Sequence, residues 1–410
     1  MSSKHRQAPS PELRKHWLIV RGLLVALIAG LSLGTWWLMA AAGNPAKPPT
    51  TAAGMVSHAS AASPNSATQP SVAPTSSDGP ISLTASGPGW LAPGSDPSVL
   101  PGPLLIADGL GNRVLIIDPN GRNMWQFPRP GDLAAGQTFK SPETAWFSPD
   151  GKQVVVASED TDMVYVIDIA THKIVYTYGT VGVPGSGDVN QLNAPDGTLM
   201  MPSGGLLVPD AANCRIITIP PGSHMFGPQL GQTGTCVHNP PQSFADPSGL
   251  FPMQNGHYLL TEGNGHWVSE ISLSGKVSWT LQVPGVTAIY ETSEVGPDRY
   301  ATADHVFPGQ VLTFDHTGKV LWRYAPTGAQ ALNKPSMVIK LPNGDFMVSD
   351  KANNRLIVVD PRTNAVVWQY GHTNVPGSTP GFLNNPNTMD LYPPNSLLVK
   401  TAGAMANNAP

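Results

Sequence analysis

One short pattern recurs along the chain and limits what it can fold into. Six apolar runs, most of which end on a carboxylate, are each followed by a turn and a second apolar run. A third run follows in each unit, and in five units it carries an aromatic residue at the aligned position. The runs start at Leu104, Val154, Leu206, Tyr258, Tyr300 and Phe346, and the aromatic residues are Trp125, Tyr176, Trp279, Trp322 and Trp368.

A proline and a strand-like segment precede every unit but the first, and another such proline follows the last. Each repeat of 42 to 52 residues therefore holds four short strands, which is typical of an all-β fold, the β-propeller. One four-stranded blade cannot bury both of its faces, so blades pack side by side in a closed ring. The prolines are Pro142, Pro195, Pro247, Pro284, Pro335 and Pro386.

We predict six blades. The last segment begins a new repeat at Pro386 and then stops, so we expect it to supply the innermost strand of the first blade and close the ring. Seven blades are the alternative, in which Asp96–Gly102 forms a short inner strand of its own.

The repeats resemble known propeller families. The stretch "LNKPSMVIKLPNGDFMVSDKANNRLIVVD" (Leu332–Asp360) resembles the NHL-type repeat, and "SPDGKQVVVASEDTDMVYVIDIATHKIVYTY" resembles the YVTN class of surface propellers. The order of residues in "DHTGKVLWRY" (Asp315–Tyr324) is similar to the PQQ-type repeat. These resemblances cover most of residues 95–400 and imply the architecture, but they imply no particular activity because the fold hosts many functions.

The first hundred residues have a different composition. Residues 22–41 contain no charge, and five basic residues but one acid precede them. This pattern predicts a cytoplasmic tail (1–21), a transmembrane signal anchor (22–42) and an extracytoplasmic remainder; a signal peptide cleaved within Met39–Gly43 is the alternative. Residues 43–95, rich in Ala, Pro, Ser and Thr, are predicted to be a flexible linker. The propeller is expected over 96–402, with a disordered tail at 403–410.

Charge limits the range of partners. The formal net charge is −4, and only 12% of residues are charged. The chain therefore has no basic field for nucleic acid. A surface protein or a small polar ligand is the expected partner.

The residue after each proline of the repeat is the most informative position for function, because the innermost strand of a propeller blade lines the central channel. These six positions hold two acids and several small polar residues, a set that suits a polar ligand or Ca²⁺. No other cofactor is expected, and a merely solvated channel mouth is the alternative. The candidate ligand-binding residues are Glu143, Asp196, Ser248, Ser336 and Asn387, and the sixth position is Gly285.

Lactonase-like six-bladed enzymes hold a divalent metal with Glu, Asp and Asn on inner strands. The spacing in this chain matches theirs too loosely for those roles to be transferred, so no catalytic residue is assigned.

Other features that recur between the repeats have structural interpretations. The strand-ending carboxylates are expected to accept N–H groups of their turns and to pair with an Arg five residues on. The aligned aromatic residues are expected to pack between blades. Cys214 and Cys236 are expected to form a disulfide, since the domain is predicted to be exported. The carboxylate–arginine pairs are Asp108 with Arg113, Asp210 with Arg215, and Asp350 with Arg355.

Two inter-blade connections are near-copies of each other, at Tyr178–Pro195 and Tyr370–Pro386. They are interpreted either as simple linkers or as a partner-binding surface. Together these features predict a membrane-anchored module that binds a ligand or scaffolds a protein. The alternatives are an exported metal-dependent hydrolase of lactonase type and a quinone-dependent oxidoreductase.

Overall fold

The computed structural model describes residues 83–393, and these residues form six four-stranded antiparallel sheets arranged as a β-propeller. The predicted six-bladed all-β architecture is confirmed. No helix within 83–393 is long and apolar enough to cross a membrane. The predicted anchor (22–42), most of the predicted linker and the predicted tail (403–410) lie outside the described residues.

Each blade runs from an innermost strand at the channel to an outermost strand at the rim. Blade I comprises β24 (Pro386–Leu391), β1 (Leu104–Asp108), β2 (Arg113–Ile117) and β3 (Asn123–Phe127). Blade II comprises β4 (Thr144–Phe147), β5 (Gln153–Ser158), β6 (Met163–Asp168) and β7 (Lys173–Gly179). Blade III comprises β8 (Leu199–Met200), β9 (Leu206–Asp210), β10 (Arg215–Ile219) and β11 (Gln229–Leu230).

Blade IV comprises β12 (Pro247–Pro252), β13 (Tyr258–Glu262), β14 (Trp267–Ile271) and β15 (Val277–Gln282). Blade V comprises β16 (Ile289–Gly296), β17 (Arg299–Asp304), β18 (Gln310–Phe314) and β19 (Val320–Tyr324). Blade VI comprises β20 (Met337–Lys340), β21 (Phe346–Asp350), β22 (Arg355–Asp360) and β23 (Ala365–Gly371). Short 3-10 helices lie at Pro97–Val99, Glu159–Thr161, Ala211–Asn213, Gly328–Gln330 and Lys351–Asn353.

The last described strand closes the ring. β24 pairs antiparallel with β1, with Leu391 opposite Leu104 and Pro386 opposite Asp108. The first blade thus takes its innermost strand from the other end of the domain, as the sequence predicted. The alternative of seven blades is wrong, because Pro97–Val99 forms a 3-10 helix rather than an inner strand.

The middle strands are continuously apolar because both of their faces are buried. In β5, Val154 and Val156 pack toward blade I, whereas Val155 and Ala157 pack toward blade III. A strand that is exposed on one face alternates apolar and polar residues, but a strand buried on both faces does not. The runs found in the sequence therefore reflect packing between neighbouring blades.

In five blades the aligned aromatic residue contacts the next blade. The Trp125 Nε1–H of blade I donates to the Ile169 carbonyl of blade II (2.9 Å). The Trp368 Nε1–H of blade VI donates to the Pro119 carbonyl of blade I (3.0 Å), across the seam where the ring closes. Trp279 differs, since it donates to Glu270 of its own blade (2.9 Å) and packs against Tyr300 of blade V. The predicted packing between blades is thus supplemented by hydrogen bonds.

The segment before the first blade pairs with the rim. The Ser86 N–H donates to the Asn123 carbonyl of β3, and the Ala92 N–H donates to the Gln369 carbonyl of β23 (both 3.0 Å). These contacts bridge the outermost strands of blades I and VI and cover the seam from outside.

Candidate functional site

The start of each inner strand is set by the residue that ends the second strand of the same blade. In five blades this residue is a buried carboxylate. It accepts the N–H of the residue two positions before the repeat proline, or before Ile289 in blade V. In blade II the Ser158 hydroxyl instead donates to the Lys140 carbonyl (2.7 Å). The donor–acceptor pairs are Asn384–Asp108 (2.6 Å), Asn193–Asp210 (2.7 Å), Ala245–Glu262 (2.5 Å), Thr287–Asp304 (2.8 Å) and Asn333–Asp350 (2.8 Å).

Three of these carboxylates also pair with a buried arginine. The distance between the Arg Nε and the carboxylate Oδ2 is 2.7 Å for Arg113–Asp108 and 2.8 Å for both other pairs. The role differs in one respect from that expected, because the accepted N–H comes from the lead-in to the inner strand rather than from the turn. These residues position the channel lining and do not line it themselves. The other pairs are Arg215–Asp210 and Arg355–Asp350.

The near-copied connections are held by the same arginines. Arg113 donates to the carbonyls of Ser378 and Phe382 in one connection, and Arg215 donates to the Ser186 carbonyl (3.2 Å) in the other. Their similarity is therefore explained by a shared means of attachment to the following blade.

A sharp bend turns each inner strand into the channel. In five blades the residue before the proline has a positive φ, a conformation that residues other than glycine seldom adopt. The neighbouring carboxylate or hydroxyl holds the adjoining backbone and so sustains this bend. The residues are Ser141 (φ 43°), Ala194 (50°), Asp246 (65°), Lys334 (50°) and Asn385 (63°).

Blade V departs from the proline rule. Its inner strand starts at Ile289, which pairs with Asp304 as Pro386 pairs with Asp108. Ile289 thus occupies the position of the proline, and the following residue, Tyr290, occupies the ring position. The expectation that Gly285 belongs to this ring is wrong, because Gly285 lies before the strand, in the connection from blade IV.

Side chains from four blades meet at Glu143 of blade II. Its Oε2 accepts from Asn387 Nδ2 of blade I (2.6 Å), and its Oε1 accepts from the Tyr290 hydroxyl of blade V. Lys351 Nζ of blade VI lies 3.0 Å from the same Oε1 and 5.0 Å from the centre of the Tyr290 ring. Blades II and V face each other across a six-bladed ring, so the contact between Glu143 and Tyr290 spans the channel.

A second layer of residues surrounds this contact. The residue after each second strand lies at the same end of its blade as the start of the inner strand, and in three blades it is titratable: Glu159, His305 and Lys351. His305 stacks on Tyr290, with ring centroids 4.7 Å apart. These three residues and Tyr290 were not predicted from the sequence. For Glu159, His305 and Lys351, the position directly after the strand-ending residue is a usable signal.

Three carboxylates converge at this mouth of the channel. Glu143, Glu159 and Asp196 each offer an oxygen, and these oxygens lie within 4.8 Å of one another. Asn387 is 2% exposed and its Oδ1 has no hydrogen-bond partner among the described residues, nor has Asp196 Oδ1. Glu291, which follows Tyr290 on β16, is 5% exposed. We call Glu143, Glu159, Asp196 and Asn387 the mouth cluster.

The electrostatics of the mouth cluster favour a bound positive charge. Burial, reinforced by Glu143, Glu159 and Glu291, raises the pKa of Asp196 well above its usual value. Glu159 is the most exposed member of the cluster, and partial loss of hydration together with the Glu143 carboxylate raises its pKa to about 7. Burial and then Glu143 raise the pKa of Glu291 to about 8. Like charges held together in this way destabilise their ionised forms, and a cation placed among them would relieve that repulsion.

The pKa of His305 is lowered rather than raised. Burial, followed by the nearby Lys351 ammonium, lowers the pKa of His305 to about 4. The imidazole is therefore neutral at pH 7. Its Nδ1 lies 3.2 Å from the Pro335 carbonyl.

The remaining predicted site residues have backbone partners. The Ser248 hydroxyl donates to the Thr261 carbonyl (3.3 Å) within its blade, and the Ser336 hydroxyl donates to the Asn387 carbonyl (2.6 Å) of the neighbouring inner strand. Among the five predicted ligand-binding residues, the structure thus brings Glu143, Asp196 and Asn387 together. Cys214 and Cys236 form a disulfide with their Cα atoms 5.1 Å apart.

The opposite ends of the inner strands form an apolar pocket. This cavity of about 380 Å³ is lined by residues that include Trp146, Phe251, Met253 and Asp390. Within the described residues, the end of the channel that carries the mouth cluster is therefore the one that suits a charged ligand.

A model of a protein family matches residues 228–387, which include blades IV to VI. Its description is outer membrane protein assembly factor BamB. The match agrees with the PQQ-type part of the resemblance seen in the sequence, whereas the NHL-type and YVTN-type parts remain expectations. No curated protein matches the chain.

Many solved structures share the fold at low identity. Hydrazine synthase of Kuenenia stuttgartiensis is 17% identical over 70% of this chain and 80% of that chain, with a TM-score of 0.45. Virginiamycin B lyase of Staphylococcus aureus is 15% identical over 65% and 83%, with a TM-score of 0.44. A protein of unknown function from Bacteroides caccae is 14% identical over 69% and 97%, with a TM-score of 0.46.

Proposed function

We propose that this protein is an extracytoplasmic binding module whose mouth cluster holds a divalent cation, with Ca²⁺ as the ion that suits it best. The convergence of the Glu143, Glu159 and Asp196 oxygens within 4.8 Å carries this proposal. Ca²⁺ binds oxygen ligands at about 2.4 Å, so two ligands on opposite sides of the ion lie about 4.8 Å apart. The three oxygens therefore need little rearrangement to contact one ion.

Two further features support a cation rather than a neutral ligand. The orphaned Oδ1 of Asn387 is an uncharged oxygen of the kind that completes calcium sites. Glu291 adds a further buried carboxyl near the cluster. Lys351 pairs with Oε1 of Glu143 and so balances part of this charge. Glu143 Oε2 keeps a lone pair beside its hydrogen bond from Asn387 Nδ2, so this oxygen, Glu159 and Asp196 are able to hold a second cation.

The bound ion would serve to recruit a polar partner. A cation held at a channel mouth keeps coordination positions open toward solvent, where a carboxylate of a surface protein or a small polar ligand can bind. The partial match to a repeat family named after an assembly factor favours binding over catalysis. The predicted anchor at 22–42 would hold the module at the membrane surface.

Metal-dependent hydrolysis is the second candidate, and one observation favours it. Tyr290 and the neutral His305 lie beside the mouth cluster, where the Tyr290 hydroxyl is able to donate a hydrogen bond and the His305 imidazole is able to accept a proton. This hypothesis requires that Tyr290→Phe abolish hydrolysis of a lactone or ester while Ca²⁺ affinity is retained. The quinone-dependent alternative rests on the repeat resemblance alone.

Calorimetric titration of the chelator-treated protein with CaCl₂ tests the proposal. We expect one ion per chain, and Asp196→Asn should weaken binding at least tenfold because it removes a charged ligand. Asn387→Ala should weaken it less, since a neutral ligand is lost. Asp168→Asn is the matched control, because Asp168 caps a turn by accepting from Thr171 (2.8 Å) outside the mouth cluster. Absence of binding, or equal weakening by Asp168→Asn, would contradict the proposal.

A further inference from the structure

Two side chains of blade IV and one from the connection that precedes this blade line up outside the channel. Thr280 Oγ1 on β15 lies 3.2 Å from His238 Nε2, and His238 Nδ1 lies 2.8 Å from Glu262 Oε1. The order is hydroxyl, imidazole and carboxylate, with each nitrogen of the ring bonded to one neighbour. This is the connectivity by which an imidazole withdraws the proton of a nucleophilic hydroxyl.

The imidazole is held firmly in this orientation. Its ring stacks on the indole of Trp267, with centroids 3.9 Å apart and planes at 4°. Cys236, two residues earlier, ties the same segment to Cys214 of blade III. Glu262 is completely buried, and its other oxygen accepts the Ala245 N–H. Because the carboxylate is fixed, Nδ1 carries the proton and Nε2 is left as the acceptor facing the hydroxyl.

Comparison with the other blades shows why a histidine here is notable. Glu262 ends the second strand of its blade, as Asp108, Asp210 and Asp350 do in theirs. Those three carboxylates pair with arginine, which keeps its proton at every physiological pH. At Glu262 the partner is instead a histidine from the connection that precedes blade IV, and an imidazole side chain in general exchanges its proton near neutral pH. A carboxylate with only a structural role does not need a partner that exchanges its proton.

The hydroxyl is accessible to a reactant. Thr280 is exposed on the outermost strand of the blade, whereas His238 has a side-chain exposure of 15%. The Ser269 hydroxyl lies 2.9 Å from Thr280 Oγ1 and is able to donate to it, which leaves the Thr280 proton directed to His238. Glu262, His238 and Thr280 thus run from the interior to the surface.

We propose that Thr280 is a nucleophile activated by His238, and that this site reacts with small carboxylic esters. Thr280 Oγ1 forms a bond to the acyl carbon while its proton passes to His238 Nε2. The bond from the acyl carbon to the alkoxy oxygen breaks, and the leaving alcohol takes the proton from Nε2. Water, deprotonated by the same nitrogen, then releases the carboxylic acid and restores the hydroxyl. The site is independent of the mouth cluster and of its cation.

Hydrolysis of p-nitrophenyl acetate by the purified protein, with peptide mass spectrometry of the acetylated protein, tests this proposal. We expect acetyl on the peptide position of Thr280 and a loss of at least a hundredfold in rate for both Thr280→Ala and His238→Gln, the range for removal of a general base. Thr280→Ser should retain the activity.

Ser278→Ala is the matched control. Ser278 is exposed on the same strand two residues earlier, and its hydroxyl lies 3.5 Å from His257 Nδ1. This variant should keep both the rate and the acetylation of Thr280. Circular dichroism of Thr280→Ala should match that of the original protein, since an exposed side chain is shortened. Acetylation that is absent, that persists in His238→Gln, or that falls equally in Ser278→Ala would overturn the proposal.

Discussion

Replacement of Trp368 tests how the ring is closed. Its indole is fully buried between blades VI and I, and its Nε1–H donates to the Pro119 carbonyl across the seam (3.0 Å). A buried tryptophan removes roughly 200 Å² from water. At about 25 cal/mol per Å² this corresponds to about 5 kcal/mol, at the upper end of the 3–5 kcal/mol typical of large aromatic truncations. We therefore expect Trp368→Ala to lower the free energy of unfolding by about 4–5 kcal/mol.

Two further variants separate packing from hydrogen bonding. Trp368→Phe keeps an aromatic ring but leaves the Pro119 carbonyl without its donor, so we expect a loss of about 1–3 kcal/mol. Trp322 occupies the aligned position in blade V, is only partly buried, and donates to the Asn364 side chain (3.1 Å). Trp322→Ala should therefore cost about 2 kcal/mol, because it exposes roughly half as much new surface.

Urea unfolding followed by circular dichroism measures these differences at 25 °C, since tryptophan fluorescence is itself altered by the substitutions. Linear extrapolation gives the free energy of unfolding for each variant. If Trp322→Ala destabilises the protein as much as Trp368→Ala, the seam has no special dependence on its buried indole and the reasoning is refuted.

Three other predictions follow from buried charge and covalent closure. Glu291→Gln should be more stable than the original protein by up to about 5 kcal/mol at pH 8 without divalent cations and equal near pH 4, in urea unfolding at both pH values. The pKa of Glu291 is about 8 in the folded protein and near 4.5 in the unfolded chain, so the folded protein loses stability as pH rises between these values. Parallel pH profiles for the two proteins would disprove this prediction. Replacing Cys214 and Cys236 together by Ser should cost about 3 kcal/mol by the chain-entropy model for a separation of 22 residues, and an unchanged urea midpoint would count against it. Arg355→Met should cost about 3–5 kcal/mol because it leaves a buried carboxylate without its partner. Arg362→Met, at an exposed surface pair, should leave stability almost unchanged, and thermal unfolding that ranks the two variants alike would reject this distinction.

Part of the mouth cluster was predictable from local sequence. The position after the repeat proline led to Glu143, Asp196 and Asn387, because the proline marks where an inner strand enters the channel. The same rule selected Gly285 instead of Tyr290, since Ile289 replaces the proline in blade V. A rule that counted back from the strand-ending carboxylate would have found Tyr290, because Tyr290 precedes Asp304 by 14 residues, as Asp196 precedes Asp210.

The sequence by itself determined the class of fold and the strand that closes the ring, whereas the structure decided between six blades and seven. The class of fold and the closing strand follow from periodic burial, since every blade repeats the same pattern of strands that must be shielded on both faces. Only the tertiary structure decided that Glu143, Tyr290 and Lys351 touch. These residues lie in three different blades, and their contact depends on the width of the closed ring and on the direction of each side chain within it. No local pattern encodes those quantities, because they arise from the packing of all six blades together.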